Sequence, residues 1–224
     1  MKKISKKEYK KHIHYQLDRK YGVEKLGLMS GKRWREDPKG TLFTLSRYKF
    51  VSKLLQGKDQ VLEIGCGDGW YSRVVKQTVK NLTLSDTDAI FLENSRKREK
   101  IWKFNYLIHN MIDSPTVKKF DAIYLLDVFE HINKKDENIF LANIVKSLKK
   151  DGILITGTPS HEFQKYVKNP DPTHINCKTG KQLRSVLKKY FENVFIFSMN
   201  DEIVHTGFEK MANYFFSLCL NKKI

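Results

Sequence analysis

The chain has 224 residues, 42 Lys+Arg against 25 Asp+Glu for a formal net charge of +17, and 40% hydrophobic residues. That apolar content excludes wholesale disorder, and the length suits one α/β domain with or without a helical extension. No apolar run approaches the roughly 20 residues that cross a bilayer, which argues against a membrane-spanning helix.

In chain order, residues 5–20 are polar and helical in pattern, with Tyr9, Ile13 and Leu17 about one turn apart. Residues 21–40 read as a loop rich in glycine, carrying Leu26, Leu28, Met29 and Trp34. Leu42, Leu45, Tyr48, Val51, Leu54 and Leu55 then recur at helical spacing over 41–56, and Gly57 ends the pattern. From Gln60 the pattern changes to short apolar runs alternating with helical segments. Strands are expected at 60–64, 81–86, 101–109, 121–126 and 152–157. Helices are expected at 70–79, 88–99, 134–149 and 179–190. Residues 194–197 and 214–220 close the chain as two strands of an antiparallel edge hairpin, with 199–212 as a long loop. Strands alternating with helices imply a parallel sheet with helices on both faces. The organisation is a basic helical N-terminal extension, residues 1–57, ahead of an α/β domain, residues 58–224.

Charge and cysteines bound the setting. Residues 1–60 hold 17 basic against 6 acidic side chains, so the excess is concentrated ahead of the domain. Such a segment suits anionic partners, although 34 of the 42 basic residues are Lys rather than the Arg that favours bidentate phosphate recognition. The basic stretch Met1–Lys7 has no apolar run behind it and does not read as a secretory signal. Cys66, Cys177 and Cys219 are odd in number, far apart and form no CxxC, which points to a reducing cytoplasm.

The first strand runs into Glu63-Ile64-Gly65-Cys66-Gly67-Asp68-Gly69. A strand, a glycine-rich turn and a helix form a nucleotide-cofactor turn, because bare backbone passes close to a ligand at a helix N-terminus. A dinucleotide fingerprint fails here because its last glycine is replaced by Trp70, and no Gly-Lys-Ser/Thr supports a nucleoside triphosphate loop.

Acid-x-Gly-x-Gly-x-Gly after the first strand resembles motif I of the class I S-adenosylmethionine (SAM) methyltransferases. The resemblance continues across roughly residues 59–160. The second strand ends at Asp86, the third at His109-Asn110-Met111, and the fourth at Asp127-Val128-Phe129-Glu130-His131. The last of these resembles the Asp-Val-Leu-Glu-His signature of the subfamily holding the ubiquinone and menaquinone methyltransferases and many sugar methyltransferases. The resemblance implies a three-layer Rossmann-like domain with a seven-stranded, mostly parallel sheet and an antiparallel last strand. It also implies SAM as cofactor and S-adenosylhomocysteine (SAH) as product. The cofactor-binding residues it implies are Glu63, Gly65, Cys66, Gly67, Gly69, Asp86, Thr87, Asn110, Met111 and Asp127. Asp86 would meet the ribose hydroxyls, Asn110 the adenine amine, and Met111 the adenine ring. Asn110 departs from the more usual aspartate. Cys66 reads as a packed residue, since nothing basic adjoins it.

Methyl transfer requires alignment of an acceptor lone pair with the methyl carbon, and a hydroxyl acceptor must also lose its proton. His131, in the fourth-strand turn, and His174, in a loop after the fifth strand, are the candidate bases. His205 and His161 are weaker ones. Tyr21, Arg33, Trp34 and Arg35 are candidates for a lid over the acceptor. No metal site is expected, because no carboxylate and histidine cluster shows ligand spacing along the chain. The expected activity is methylation of a small-molecule or glycan acceptor, an anionic sugar among them, at a hydroxyl oxygen. The alternatives are a nucleic-acid acceptor, favoured only by the positive charge, and a non-catalytic SAM-binding role. The expected setting is a bacterial, cytoplasmic monomer or homodimer.

Overall fold

The structure, a computed structural model, describes residues 5–223, with the side chains of Tyr9, Lys11 and Tyr15 also outside the description. The Tyr9 part of the first helical stripe and residues 1–4 of the basic stretch therefore lie outside the described residues. Helix α1 spans Lys6–Tyr21, opened by a capping box in which Ser5 accepts from the Glu8 amide and Glu8 from the Ser5 amide. Ile13 and Leu17 on this helix are exposed.

Residues 21–40 are not the loop the glycines suggested. Helix α2 occupies Leu28–Glu36 and α3 begins at Pro38, running to Leu54. Gly31 lies inside α2 and Gly40 inside α3. Proline at the first helical position and Asp37 accepting from the Gly40 amide at 2.9 Å start α3 four residues earlier than its apolar stripe.

Among the described residues, eight strands form one sheet: β1 (Gln60–Ile64), β2 (Asn81–Asp86), β3 (Asn105–Ile108), β4 (Phe120–Leu126), β5 (Leu148–Pro159), β6 (Phe191–Asn200), β7 (Ile203–His205) and β8 (Tyr214–Lys222). Their order is β3-β2-β1-β4-β5-β8-β6-β7. Strands β1 to β5 pair in parallel, and β8 runs antiparallel to both β5 and β6. The antiparallel last strand was expected; its position was not. It inserts between β5 and β6 instead of closing a hairpin at the edge. Its two apolar faces are accordingly both covered, with Tyr214, Phe215, Phe216 and Cys219 at most 1% exposed. The eighth strand, β7, forms within the segment expected as loop and pairs with the end of β6.

Between the strands lie α4 (Arg73–Lys76), α5 (Ala89–Arg98), α6 (Glu137–Ser147), α7 (His161–Gln164) and α8 (Gly180–Leu187). Helix α4 is much shorter than the 70–79 segment predicted, the rest of which is turn. Two apolar clusters fill the two faces of the sheet. One joins Phe140, Leu141 and Ile144 of α6 and Leu183 and Leu187 of α8 to β4, β5 and β8. The other joins Tyr48, Val51 and Leu55, at the end of α3, with Val75 of α4 and Leu92 of α5, to β1, β2 and β4. Helix α3 is thus part of one outer layer of a three-layer α/β fold. The sheet order reverses between β1 and β4, and in open α/β sheets such a switch point, at the carboxyl ends of the strands, is where ligands bind. Among the described residues no helix is long and apolar enough to cross a membrane.

Candidate active site

The turn after β1 lies at that switch point. Gly65 and Gly67 take φ of +69° and +53°, a left-handed backbone that an L side chain adopts at a cost. The amides of Gly65 and Cys66 both donate to the Ser85 carbonyl of β2. A Cβ on Gly65 would stand 2.3 Å from Val128 Cγ2, so the turns after β1 and β4 press against each other at this glycine. A Cβ on Gly67 would stand 2.6 Å from the sulfur of Met29, which α2 lays across the turn.

Asp86 at the end of β2 fixes the turn from the other side. Its Oδ2 accepts the Gly67 amide at 2.9 Å and its Oδ1 the Asp88 amide at 3.0 Å. Each carboxylate oxygen has a further lone pair. Thr87 beside it is exposed. Asp68 in the turn ties down α2, its Oδ2 accepting the Ser30 amide at 2.7 Å and the Ser30 hydroxyl at 3.0 Å.

Glu63 is 1% exposed, and both of its oxygens are engaged. The Tyr48 hydroxyl of α3 donates to Oε1 and the Tyr124 hydroxyl of β4 to Oε2, each at 2.6 Å. Burial pushes its carboxyl up to about 7, against the two hydroxyls that favour the anion. Glu63 therefore couples β1, β4 and α3. Cys66 is buried, and burial raises its thiol well above the usual range. Asn110 closes an Asx turn by accepting the Ile112 amide at 3.0 Å. Met111 is buried in the α6-side core, and its carbonyl accepts from Asn143.

The turn after β4 carries the polar groups. Asp127 has φ of +55°, and Arg47 Nη1 from α3 donates to both its carboxylate oxygens at 3.0 and 2.7 Å. The Arg47 guanidinium lies 3.9 Å over the Tyr214 ring of β8, with its Nε buried and unpartnered. A 3₁₀ turn, Phe129–His131, follows. Glu130 is fully buried, its Oε2 accepting from the Thr158 hydroxyl at 3.0 Å and its Oε1 without a partner. Burial, then the charge of Asp127, raises the Glu130 carboxyl above its ordinary range.

His131 and His174 meet edge to face, with ring centroids 5.0 Å apart. The loop bearing His174 is pinned to the 3₁₀ turn. The Asn176 amide donates to the Glu130 carbonyl at 2.9 Å, and its side-chain amide to the Ile132 carbonyl at 3.0 Å. Lys178 holds Asn176 Oδ1 at 2.8 Å and pairs with Glu137 at 2.5 Å. Burial, then His131, lowers the His174 imidazole.

Residues far apart in the sequence come together at this turn. Glu130, His131 and His174 each offer a ligand atom, and these atoms all lie within 4.8 Å of one another, so a cluster with metal-ligand spacing is present. Spacing along the chain hid it because α6, β5, α7 and a loop intervene between His131 and His174. Sequence reading also passed over Arg47 and Tyr48. Tyr48 reads only as part of the apolar stripe of this helix, and only the packing of α3 shows that the Arg47 and Tyr48 polar ends reach Asp127 and Glu63. The candidate lid residue Trp34 is exposed, and Arg33 pairs with Asp37 of its own segment, while Met29 and Ser30 make the contacts to the turn. His205 bonds Asn200 at 2.8 Å within the β6–β7 hairpin, away from this cluster.

A family model described as a methyltransferase domain matches residues 62–156. The ubiquinone biosynthesis O-methyltransferase of Rickettsia canadensis (strain McKiel) is 27% identical over 124 residues, which cover 54% of this chain and 50% of that protein. The protein of the same name from Rickettsia prowazekii (strain Madrid E) is 24% identical over 208 residues, covering 80% of this chain and 75% of that one. The chain thus spans about half the length of several of the curated relatives it matches. The structure of the N-methyltransferase NodS from Bradyrhizobium japonicum WM9 in complex with SAH superposes with a TM-score of 0.64. That match has 15% identity and covers 92% of this chain and 97% of the other.

Proposed function

We propose, from the premise that residues 62–156 are a class I SAM-dependent methyltransferase domain, that the chain transfers a methyl group from SAM to a hydroxyl oxygen of a small molecule. The observation that supports the reading most directly is the contact of the glycine turn after β1 with the turn after β4 at Gly65 and Val128, the latter turn carrying His131, whose ring meets that of His174.

The residues fit the cofactor. The glycines leave an uncovered backbone that a Cβ would fill, and Asp86 keeps lone pairs for ribose hydroxyls after fixing Gly67. Asn110 stands just past the end of β3, where an adenine would lie, whereas the Met111 side chain, expected on the adenine ring, is buried in the α6-side core. Asp127 and Thr87 flank the same switch point. SAM supplies an electrophilic methyl carbon on a sulfonium centre. The chain's own contribution is position: the glycine turn and Asp86 hold the nucleoside, and α2 with Met29 shields it from water.

His174 and His131 handle the acceptor proton. His174 has a buried, unpartnered Nδ1, and its lowered imidazole is neutral near pH 7, which is the form that accepts a proton. The ubiquinone O-methyltransferase relatives favour an oxygen acceptor over the amine acceptor of NodS-like enzymes. An anionic sugar remains within this reading, given the net charge of +17.

Calorimetric titration with SAM and SAH, followed by transfer of labelled methyl to phenolic and sugar hydroxyls, tests the proposal. Saturable SAM binding with label on oxygen is expected. Absence of SAM binding overturns it, and label on RNA in place of small hydroxyl compounds replaces the acceptor class.

A further inference from the structure

We infer that the open face of β2 and β3 binds a small apolar carboxylate, in a slot separate from the glycine turn. The slot has a volume of about 430 Å³, within the range of small-ligand sites.

The slot exists because one crossover carries no helix. Helices α4, α5 and α6 follow β1, β2 and β4, whereas residues 109–119 run from β3 to β4 in turns alone. A parallel strand normally has both faces covered, and the crossover helix supplies one cover. Met111 of this connection packs with Leu62 and Ile64 of β1, which closes the central part of the α6-side face. The β2–β3 part stays open. Leu82 and Leu84 face the α3-side core, so Thr83 between them points to the open side, beside its register partner Asn105. Leu107 and Phe120 line the slot from the sheet, and Pro115 and Val117 from the connection. Val117 is fully exposed.

The charge of the lining selects the occupant. Lys118 and His109 are its ionisable side chains, and among the described residues no carboxylate lines it. The Lys118 ammonium lies 5.8 Å from the centre of the Phe120 ring, so the cation stands beside the apolar floor. His109 Nε2 donates to the Ser114 carbonyl at 2.8 Å, which ties the connection to the end of β3. The Thr116 amide donates to the Ser147 hydroxyl at 2.9 Å, and its own hydroxyl to the Lys118 carbonyl at 2.7 Å. These bonds hold the slot open in a fixed shape. An apolar body with one negative group meets both features of the lining. A second copy of this chain, also of net charge +17, would bring like charges together.

The His109 amide donates to the Asp86 carbonyl at 3.1 Å, and Asn110 follows it in the chain. A ligand in the slot therefore contacts the segment that carries nucleoside-facing residues, which makes it an effector of cofactor affinity. That role rests on the methyltransferase reading; the slot itself does not.

Calorimetry of the full-length protein with 1-naphthoate, and with neutral 1-naphthamide, tests the site. One saturable naphthoate per chain is expected, bound about fivefold more tightly than the amide, the effect of one partly exposed ion pair. Saturating SAH is expected to leave that stoichiometry unchanged, while naphthoate shifts SAH affinity by about fivefold. Lys118→Glu and Val117→Asp, both at exposed positions and checked by thermal melting, are each expected to weaken naphthoate by about fivefold or more. Lack of saturable binding, binding that both folded variants keep, or displacement by SAH overturns the site. A dimer in sedimentation that Val117→Asp dissociates, with no naphthoate bound, replaces the ligand with a second copy. Equal SAH affinity with and without naphthoate withdraws the effector role. Naphthoate binding without SAH binding leaves the slot standing and removes the methyltransferase reading.

Discussion

Arg47 and Asp127 form a one-nitrogen clamp: a single Nη1 on α3 donates to both carboxylate oxygens of the residue that follows β4. The contact joins the N-terminal helical layer to the turn that carries Glu130 and His131. Asp127 sits at φ of +55°, so its conformation and its charge are both held by this neighbour. Arg47→Met is expected to destabilise the fold by about 1–2 kcal/mol, a figure discounted because the Asp127 side chain is partly open to solvent. A double-mutant cycle with Asp127→Asn in urea checks it. Strict additivity of the two changes would show that the clamp contributes nothing.

Asp86 is expected to carry the nucleoside. Asp86→Ala removes the acceptor of the Gly67 amide and of ribose hydroxyls together, and SAM affinity is expected to fall by about 1.5–3 kcal/mol, the range for charge-assisted hydrogen bonds. Calorimetry reads this directly. An unchanged dissociation constant removes Asp86 from the site.

Asp68 holds α2 over the glycine turn through the Ser30 amide and hydroxyl. Asp68→Ala is expected to cost about 1–3 kcal/mol, because the α2 amide loses a buried partner. Limited proteolysis is expected to cut first between α1 and α2 in the variant. A cleavage pattern identical to that of the parent protein would mean that α2 is held by other contacts.

Glu63 makes stability depend on pH. Its folded carboxyl titrates at about 7 against an ordinary 4.5, so the folded state binds the proton more tightly than the unfolded one. Tyr48 of α3, Tyr124 of β4, Cys66 of the turn and Asp86 of β2 are the titratable groups around it. The contribution is fully present below about pH 4.5 and is lost as pH rises through 7. It amounts to about 3 kcal/mol, because each pH unit separating the folded and unfolded titrations is worth about 1.4 kcal/mol. Glu63→Gln cannot ionise, so its stability relative to the parent protein is expected to rise between about pH 5 and pH 8. Urea midpoints for both proteins across that interval measure it, and parallel curves would contradict the assignment.

Gly67→Ala places a Cβ 2.6 Å from the Met29 sulfur at a φ of +53°. The left-handed backbone alone is expected to cost about 1–2 kcal/mol. Thermal melting reads that loss. Combination with Met29→Ala relieves the steric part but leaves the backbone part, so the double variant is expected to recover only some of the stability.

The order of β1 to β5, the glycine turn, Asp86 and the Asp127–His131 segment were legible because each is local. An apolar strand, a turn that only glycine tolerates and a helix N-terminus are written within a few residues. The motif resemblance then supplied a mostly parallel sheet with an antiparallel last strand. The sequence by itself therefore determined the α/β class, the position of the glycine turn and the acid that ends β2. It did not determine that β8 inserts beside β5, because the strand's two apolar faces fit burial and an edge equally. It did not show that Glu63 is held by Tyr48 and Tyr124, or that Arg47 reaches Asp127, since those partners come from different layers of the fold. The meeting of Glu130 and His131 with His174 was decided by tertiary structure alone. It depends on a loop whose path is set by buried bonds from Asn176 and Lys178, and those bonds exist only once β4, α6 and the loop have packed together.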